Sequence, residues 1–176
     1  MGGTRRTAVG LRVITLLWVV PAHADDVAAF VGRYTYVGTA AEQRALSAEV
    51  DRTIDQLNPL LRPLARLAVD KRKMTPQTIL ITREGALIGI QAPPHPLRLS
   101  PTDGRPVTVD NQGHTATIRR HLAGRVLIEE SDSKRGHSRT TITLSANGQR
   151  LTMRSVVATP HAPLPLTITL TYRRQG

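Results

Sequence analysis

From Thr78 to Arg173 apolar and polar residues alternate with a period of two, and turn residues return about every eight to twelve positions, the signature of an antiparallel meander. The pattern predicts strands over residues 78–83, 86–91, 97–99, 107–110, 114–121, 126–130, 137–144, 150–157 and 166–173. Glu84-Gly85 and Ala146-Asn147-Gly148-Gln149 are among the turns. The last three strands alternate most clearly. Ser138, Thr140, Ile142, Leu144, Leu151, Met153, Ser155, Val157, Leu166, Ile168, Leu170 and Tyr172 share one face. The other face is threonine and arginine, as expected of a sheet with one solvated side.

Upstream of residue 78 the period changes. Residues 30–37 read as a first strand, rich in aromatic and branched side chains and ended by Gly38. Thr39 and Glu42 form a capping box, and Leu46, Val50, Ile54 and Leu57 then recur at helical spacing. A second helix carries Leu60, Leu61, Leu64 and Leu67; it starts at Pro59 with a kink, or at Pro63, because an interior proline removes a hydrogen bond. Lys71-Arg72-Lys73 closes it. The expected fold is therefore α+β: one strongly curved or barrel-like antiparallel sheet of about eight to ten strands, with two consecutive helices after the first strand.

The first residues belong to neither pattern. Arg5, Arg6 and Arg12 precede a short apolar run, residues 13–20, and Ala22-His23-Ala24 offers small residues at a cleavage site. We read residues 1–24 as a signal peptide and residues 25–176 as one exported domain, periplasmic or secreted, with its helical insert at about residues 40–70. The apolar run is far shorter than the roughly 20 residues that span a bilayer, and no later segment approaches that length. There is no cysteine, so stability has to come from a hydrophobic core rather than disulfides.

The whole chain has a formal charge of +11; without the three signal arginines 21 basic residues face 13 acidic ones, leaving +8. Such a surplus attracts anionic partners. Lys71, Lys73 and Lys134 are the only lysines, so a compositional excess of solvated arginine is the competing reading. Aromatic residues are too scarce for base-stacking platforms, which argues against single-stranded nucleic acid. No serine lies in a G-x-S-x-G elbow, the mature histidines His95, His114, His121, His137 and His161 show no zinc spacing, and no phosphate-binding glycine loop occurs. Glu129-Glu130-Ser131-Asp132 reads as a solvated turn at a strand end. Enzyme, metal and cofactor readings thus have no motif behind them.

One strand, two consecutive helices and about nine meandering strands resemble the calycin group, and in connectivity the fatty-acid-binding-protein fold. Phe30-Val31-Gly32-Arg33-Tyr34 is similar to that family's opening, and Met74-Thr75-Pro76-Gln77-Thr78-Ile79 stands where the family re-enters the sheet. Exported lipocalins, and bacterial carriers whose open barrel is plugged by helices, are comparable analogues. The resemblance implies a ligand held inside the barrel. That family often binds a carboxylate with an arginine two residues before a last-strand tyrosine; here Tyr172 is present but Leu170 occupies the arginine position.

Two functions follow as expectations. The first is a non-enzymatic carrier or sensor of a small apolar or amphipathic molecule in the cell envelope, contacted by Tyr172, Leu170, Ile168, Met153, Ser155 and Thr140. The rival is a packed interaction domain docking on an anionic envelope polymer or membrane surface through Arg62, Arg66, Lys71, Arg72 and Lys73, with Arg119-Arg120 and Lys134-Arg135 as further basic groups.

Overall fold

A computed structural model describes residues 24–68, 74–110, 113, 115–160, 162 and 164–176. The signal segment up to residue 23, the run Lys71, Arg72 and Lys73, and His114 and His161 lie outside the described residues.

Helix α1 (Ala24–Phe30) leads into strand β1 (Gly32–Tyr36), followed by α2 (Ala40–Asp55) and α3 (Arg62–Ala68). Then come β2 (Thr78–Glu84), β3 (Leu87–Gln91), β4 (Arg98–Pro101), β5 (Val107–Asp110), β6 (Thr115–Ala123), β7 (Val126–Ser133), β8 (Gly136–Leu144), β9 (Arg150–Ala158) and β10 (Leu166–Arg174). All ten strands form one antiparallel sheet in the order β4-β3-β2-β1-β10-β9-β8-β7-β6-β5. The sheet curls into a nearly closed barrel. Its seam is drawn together beyond β4, where Asp103 bridges to His121, the Gly104 amide donates to the Arg120 carbonyl (2.8 Å) and the Leu122 amide to the Thr102 carbonyl (3.1 Å).

The period-two reading places the inner face correctly. Leu144, Leu151, Leu170 and Tyr172 are buried, while Arg150, Thr152, Arg154 and Arg173 are exposed. Register follows from this alternation, since slipping one residue would turn every apolar side chain outward.

Phe30 departs from the expectation: it ends α1 rather than starting β1. The segment Asp26-Val27-Ala28-Ala29-Phe30 spaces Val27 and Phe30 on one helical face, and both are buried in the core. The Tyr34 hydroxyl donates to the Phe30 carbonyl (2.9 Å), and Arg174 stacks over the Tyr34 ring while donating to the Tyr34 hydroxyl (2.6 Å) and the Ala29 carbonyl. Short helix and last strand are thus tied through one tyrosine.

In α2 the Thr39 hydroxyl accepts from the Glu42 amide (3.2 Å), as the capping box requires. The reciprocal half of the box does not form, because the Glu42 carboxylate instead accepts from the Thr171 amide of β10 (2.9 Å). Leu46, Val50 and Ile54 face the barrel and join its core, each contributing about 1.5–3 kcal/mol through burial. α3 starts at Arg62, which puts Pro63 in the first turn, where a helix has no hydrogen bond to lose.

Candidate functional site

The barrel interior is only partly filled. A cavity of about 280 Å³ is bounded by side chains of β2, β3, β4, β7, β8, β9 and β10 and, among the described residues, by none of α2. Its apolar wall consists of Ile79, Ile90, Ile142, Met153, Val157 and Ile168. Ser138, Thr140 and Ser155 bring hydroxyls to it, two of which are paired, Thr140 Oγ1 to Ser155 Oγ at 3.0 Å. Met74, Pro76, Ala92 and His95 line it from the segments that precede β2 and β4.

Ser131, Arg98 and Glu129 complete the wall, and the last two belong to a buried charge cluster. Glu129 Oε1 accepts from Arg98 Nη2 (2.9 Å), and Oε2 accepts from Arg120 Nε (2.8 Å) and Nη2 (2.6 Å). Arg120 Nη1 donates to the carbonyls of Ile88 (2.7 Å) and Arg98 (2.9 Å), so this one side chain ties β3, β4, β6 and β7 together across the seam. It is fully buried. Burial presses its affinity for a proton downward while Glu129 opposes that pressure, and an arginine so paired stays charged.

This geometry corrects two expectations. Glu129 and Glu130 are not in a solvated turn: β7 runs on to Ser133, because Arg120 and Arg119 stand directly opposite Glu129 and Glu130 on β6. Nor is Arg119-Arg120 a wholly exposed basic pair, since the alternation that puts Arg119 outward puts Arg120 inward.

Of the six residues expected to contact a ligand, Thr140, Met153, Ser155 and Ile168 are brought together around the cavity. Leu170 and Tyr172 are buried beside it in the packed core, with the Tyr172 ring edge-on to Tyr36 at 5.7 Å. Burial raises the Tyr172 phenol well above its ordinary value, with Tyr36 and Glu42 adding to the effect. The basic residues of α3 are engaged locally: Arg62 Nε donates to the Leu57 carbonyl (3.1 Å) and Arg66 pairs with Asp55 (3.0 Å). Leu60, Leu61, Leu64 and Leu67, by contrast, are exposed.

Sequence reasoning missed Arg98, Arg120 and Glu129. The signal was present, because Ala116, Ile118 and Leu122 set the inward phase of β6 and Arg120 falls on it; Leu127 sets that of β7 and Glu129 falls on it. Among the described residues no group of three or more metal-binding side chains converges, and no helix is long and apolar enough to cross a membrane.

No protein-family model and no curated protein matches the chain. Solved structures do match its fold. They include a secretory abundant heat soluble protein from Ramazzottius varieornatus (TM-score 0.55, 10% identity, covering 84% of this chain and 96% of that one). Fatty-acid-binding protein 1 of Echinococcus granulosus aligns at TM-score 0.52 and 14% identity over 85% of this chain and 99% of that one. The Schistosoma mansoni fatty acid binding protein in complex with arachidonic acid aligns at TM-score 0.50 and 10% identity, over 86% and 99%. With a helical pair after the first strand and ten antiparallel strands in a nearly closed barrel, this chain has a calycin-like fold of the kind seen in the fatty-acid-binding proteins.

Proposed function

We propose that this chain is an exported, non-enzymatic binding protein that takes up a small apolar or amphipathic molecule inside its barrel. The observation that carries the proposal is the cavity itself: about 280 Å³, lined by aliphatic side chains together with hydroxylic and charged ones. Such a chamber suits an amphipath, because apolar surface leaves water while polar ends find partners. Tight packing is the rule in protein interiors, so a chamber of this size is a feature the packing has been arranged around. The fold of fatty-acid-binding proteins supports the same reading. Titrating the purified protein with a fluorescent fatty acid tests it: saturable uptake displaced by unlabelled short-chain amphipaths is expected, and no uptake at any concentration rejects it.

Export rests on the basic, apolar and small-residue segments before Asp25. Cleavage after Ala24 would remove one residue of α1 and leave Val27 and Phe30 in the core. N-terminal sequencing of protein recovered from outside the cytoplasm should start at Asp25; a cytoplasmic product keeping residues 1–24 would reject export.

A second reading concerns α3. Leu60, Leu61, Leu64 and Leu67 are exposed beside Arg62 and Arg66, apolar surface next to positive charge, which suits docking of the helical pair on an anionic bilayer. Co-sedimentation with phosphatidylserine-containing vesicles, weakened by added salt, is its expected result. Equal sedimentation with neutral vesicles would remove the anionic surface from the account.

A further inference from the structure

We infer that Arg98 is the polar anchor of the cavity, and that the ligand it selects is a compact carboxylate with a short alkyl tail. The inference rests on the binding function proposed above and names its ligand class. It starts from the accounting of donors and acceptors in the buried cluster. Arg120 is fully committed, two nitrogens to Glu129 and the third to two main-chain carbonyls, and both oxygens of Glu129 are occupied. Arg98 is not. One of its terminal nitrogens holds Glu129, but its Nε is buried and has no acceptor among the described residues. Buried donors on charged groups are nearly always satisfied, so an unmatched one on a cavity wall marks where a ligand oxygen belongs.

Charge gives the sign. Two guanidinium groups face one carboxylate, leaving one positive charge in excess in a poorly hydrated wall, where attraction for an anion is much stronger than in water. A guanidinium edge also matches a carboxylate geometrically, as a single ammonium charge does not. His95 also lines the cavity. The remainder of the wall is mostly aliphatic or hydroxylic, so it can receive an apolar tail.

Volume gives the size. At about 280 Å³ the cavity lies at the small end of the range usual for ligand pockets, which suits octanoate better than a long-chain fatty acid in extended form. The anchor lies on β4, across the barrel from the last strand. Leu170 and Tyr172 do not line the chamber, so the carboxylate end points towards β4, beside the seam where the segment after β4 meets β6.

Calorimetric titration with octanoate, octanol and palmitate tests the inference on the wild type and on Arg98→Met. Octanoate is expected to bind at least about tenfold more tightly than octanol in the wild type, the discrimination that one charged hydrogen bond supplies, and palmitate more weakly than octanoate. Arg98→Met should erase the preference by weakening octanoate while leaving octanol unchanged. The variant should fold, since Glu129 keeps Arg120 as its partner. If it does not fold, carboxyl-labelled octanoate on the wild type decides by ¹³C NMR: the bound carboxyl should stay ionised to lower pH than the free acid, and titration like the free acid overturns the anchor. Equal binding of octanoate and octanol, or a preference that survives Arg98→Met, also overturns it while leaving the binding function standing. Tighter binding of palmitate overturns the size limit. No binding of any of the three, together with no uptake of an apolar fluorophore, removes the anchor and the function alike.

Discussion

Arg120 and Glu129 face each other on β6 and β7, and their side chains meet at 2.6 and 2.8 Å with the guanidinium wholly removed from water. The pair closes the barrel where the ladder is weakest, because β4 and β5 are the two edge strands and Arg120 also reaches carbonyls on β3 and β4. Replacing Arg120 by methionine leaves Glu129 underpaired and takes a donor from each of two carbonyls. A loss of about 3–5 kcal/mol is expected in a urea melt, the cost typical of breaking a buried pair. Arg119→Met, removing the exposed pair with Asp132 one residue away, should cost no more than about 1 kcal/mol.

Ile54 and Leu67 offer a second contrast. Both were read as apolar positions of the helical pair, yet Ile54 is buried and Leu67 is exposed. Ile54→Ala should destabilise by about 2–5 kcal/mol through the hole it leaves, while Leu67→Ala should stay within about 0.5 kcal/mol. Thermal unfolding of the two variants side by side would check the packing of α2 independently of any ligand.

Acid should loosen α2. Glu49 is pulled down to about 2, chiefly by its bond to Arg52 and then by the Thr167 amide that it accepts from at 3.1 Å. A folded-state value below the ordinary one near 4.5 means that the carboxylate stabilises the fold above that ordinary value, and the contribution fades as pH falls towards 2. Melting temperature should therefore decline between about pH 5 and pH 2, and the part of the decline due to this group should be absent in Glu49→Ala. An unchanged pH profile in the variant would show that other carboxylates carry the effect.

Gly136 begins β8 with φ at 135°, and an added Cβ would overlap the Ala158 carbonyl oxygen. Gly136→Ala should thus cost about 1–3 kcal/mol, through both backbone strain and displacement of β9. Gly124 also has positive φ but open space around it, so Gly124→Ala should cost less, about 1 kcal/mol. Denaturant midpoints measured in parallel would rank the two.

The strands and the helical pair were legible because each has a period that only one structure satisfies: two for β8 to β10, helical for Leu46, Val50 and Ile54. What stayed hidden were features that depend on contacts far apart in sequence. Glu42 read as half of a capping box, a local signal, and its carboxylate went to Thr171, 129 residues away. Leu64 and Leu67 looked like core positions because periodicity reports a stripe but not whether anything covers it. Arg98, Arg120 and Glu129 were missed because charged residues are read as surface by default, although the phase of β6 and β7 placed two of them inside. Tyr172 was legible as an inward residue from the alternation of β10, and in the structure it is buried with its ring edge-on to Tyr36.

On the β9 side β10 is paired from Leu166 to Arg173, whereas β1 covers it just from Tyr172 to Arg174. Over the uncovered stretch the amides of Thr167 and Thr171 are held by Glu49 and Glu42, two carboxylates seven residues apart on α2. The helix thus stands in for a missing strand. Whatever lifts it, as acid would, bares an unpaired strand edge of the kind that recruits other chains. The seat of α2 on the barrel is then also what keeps this edge from other copies of the chain.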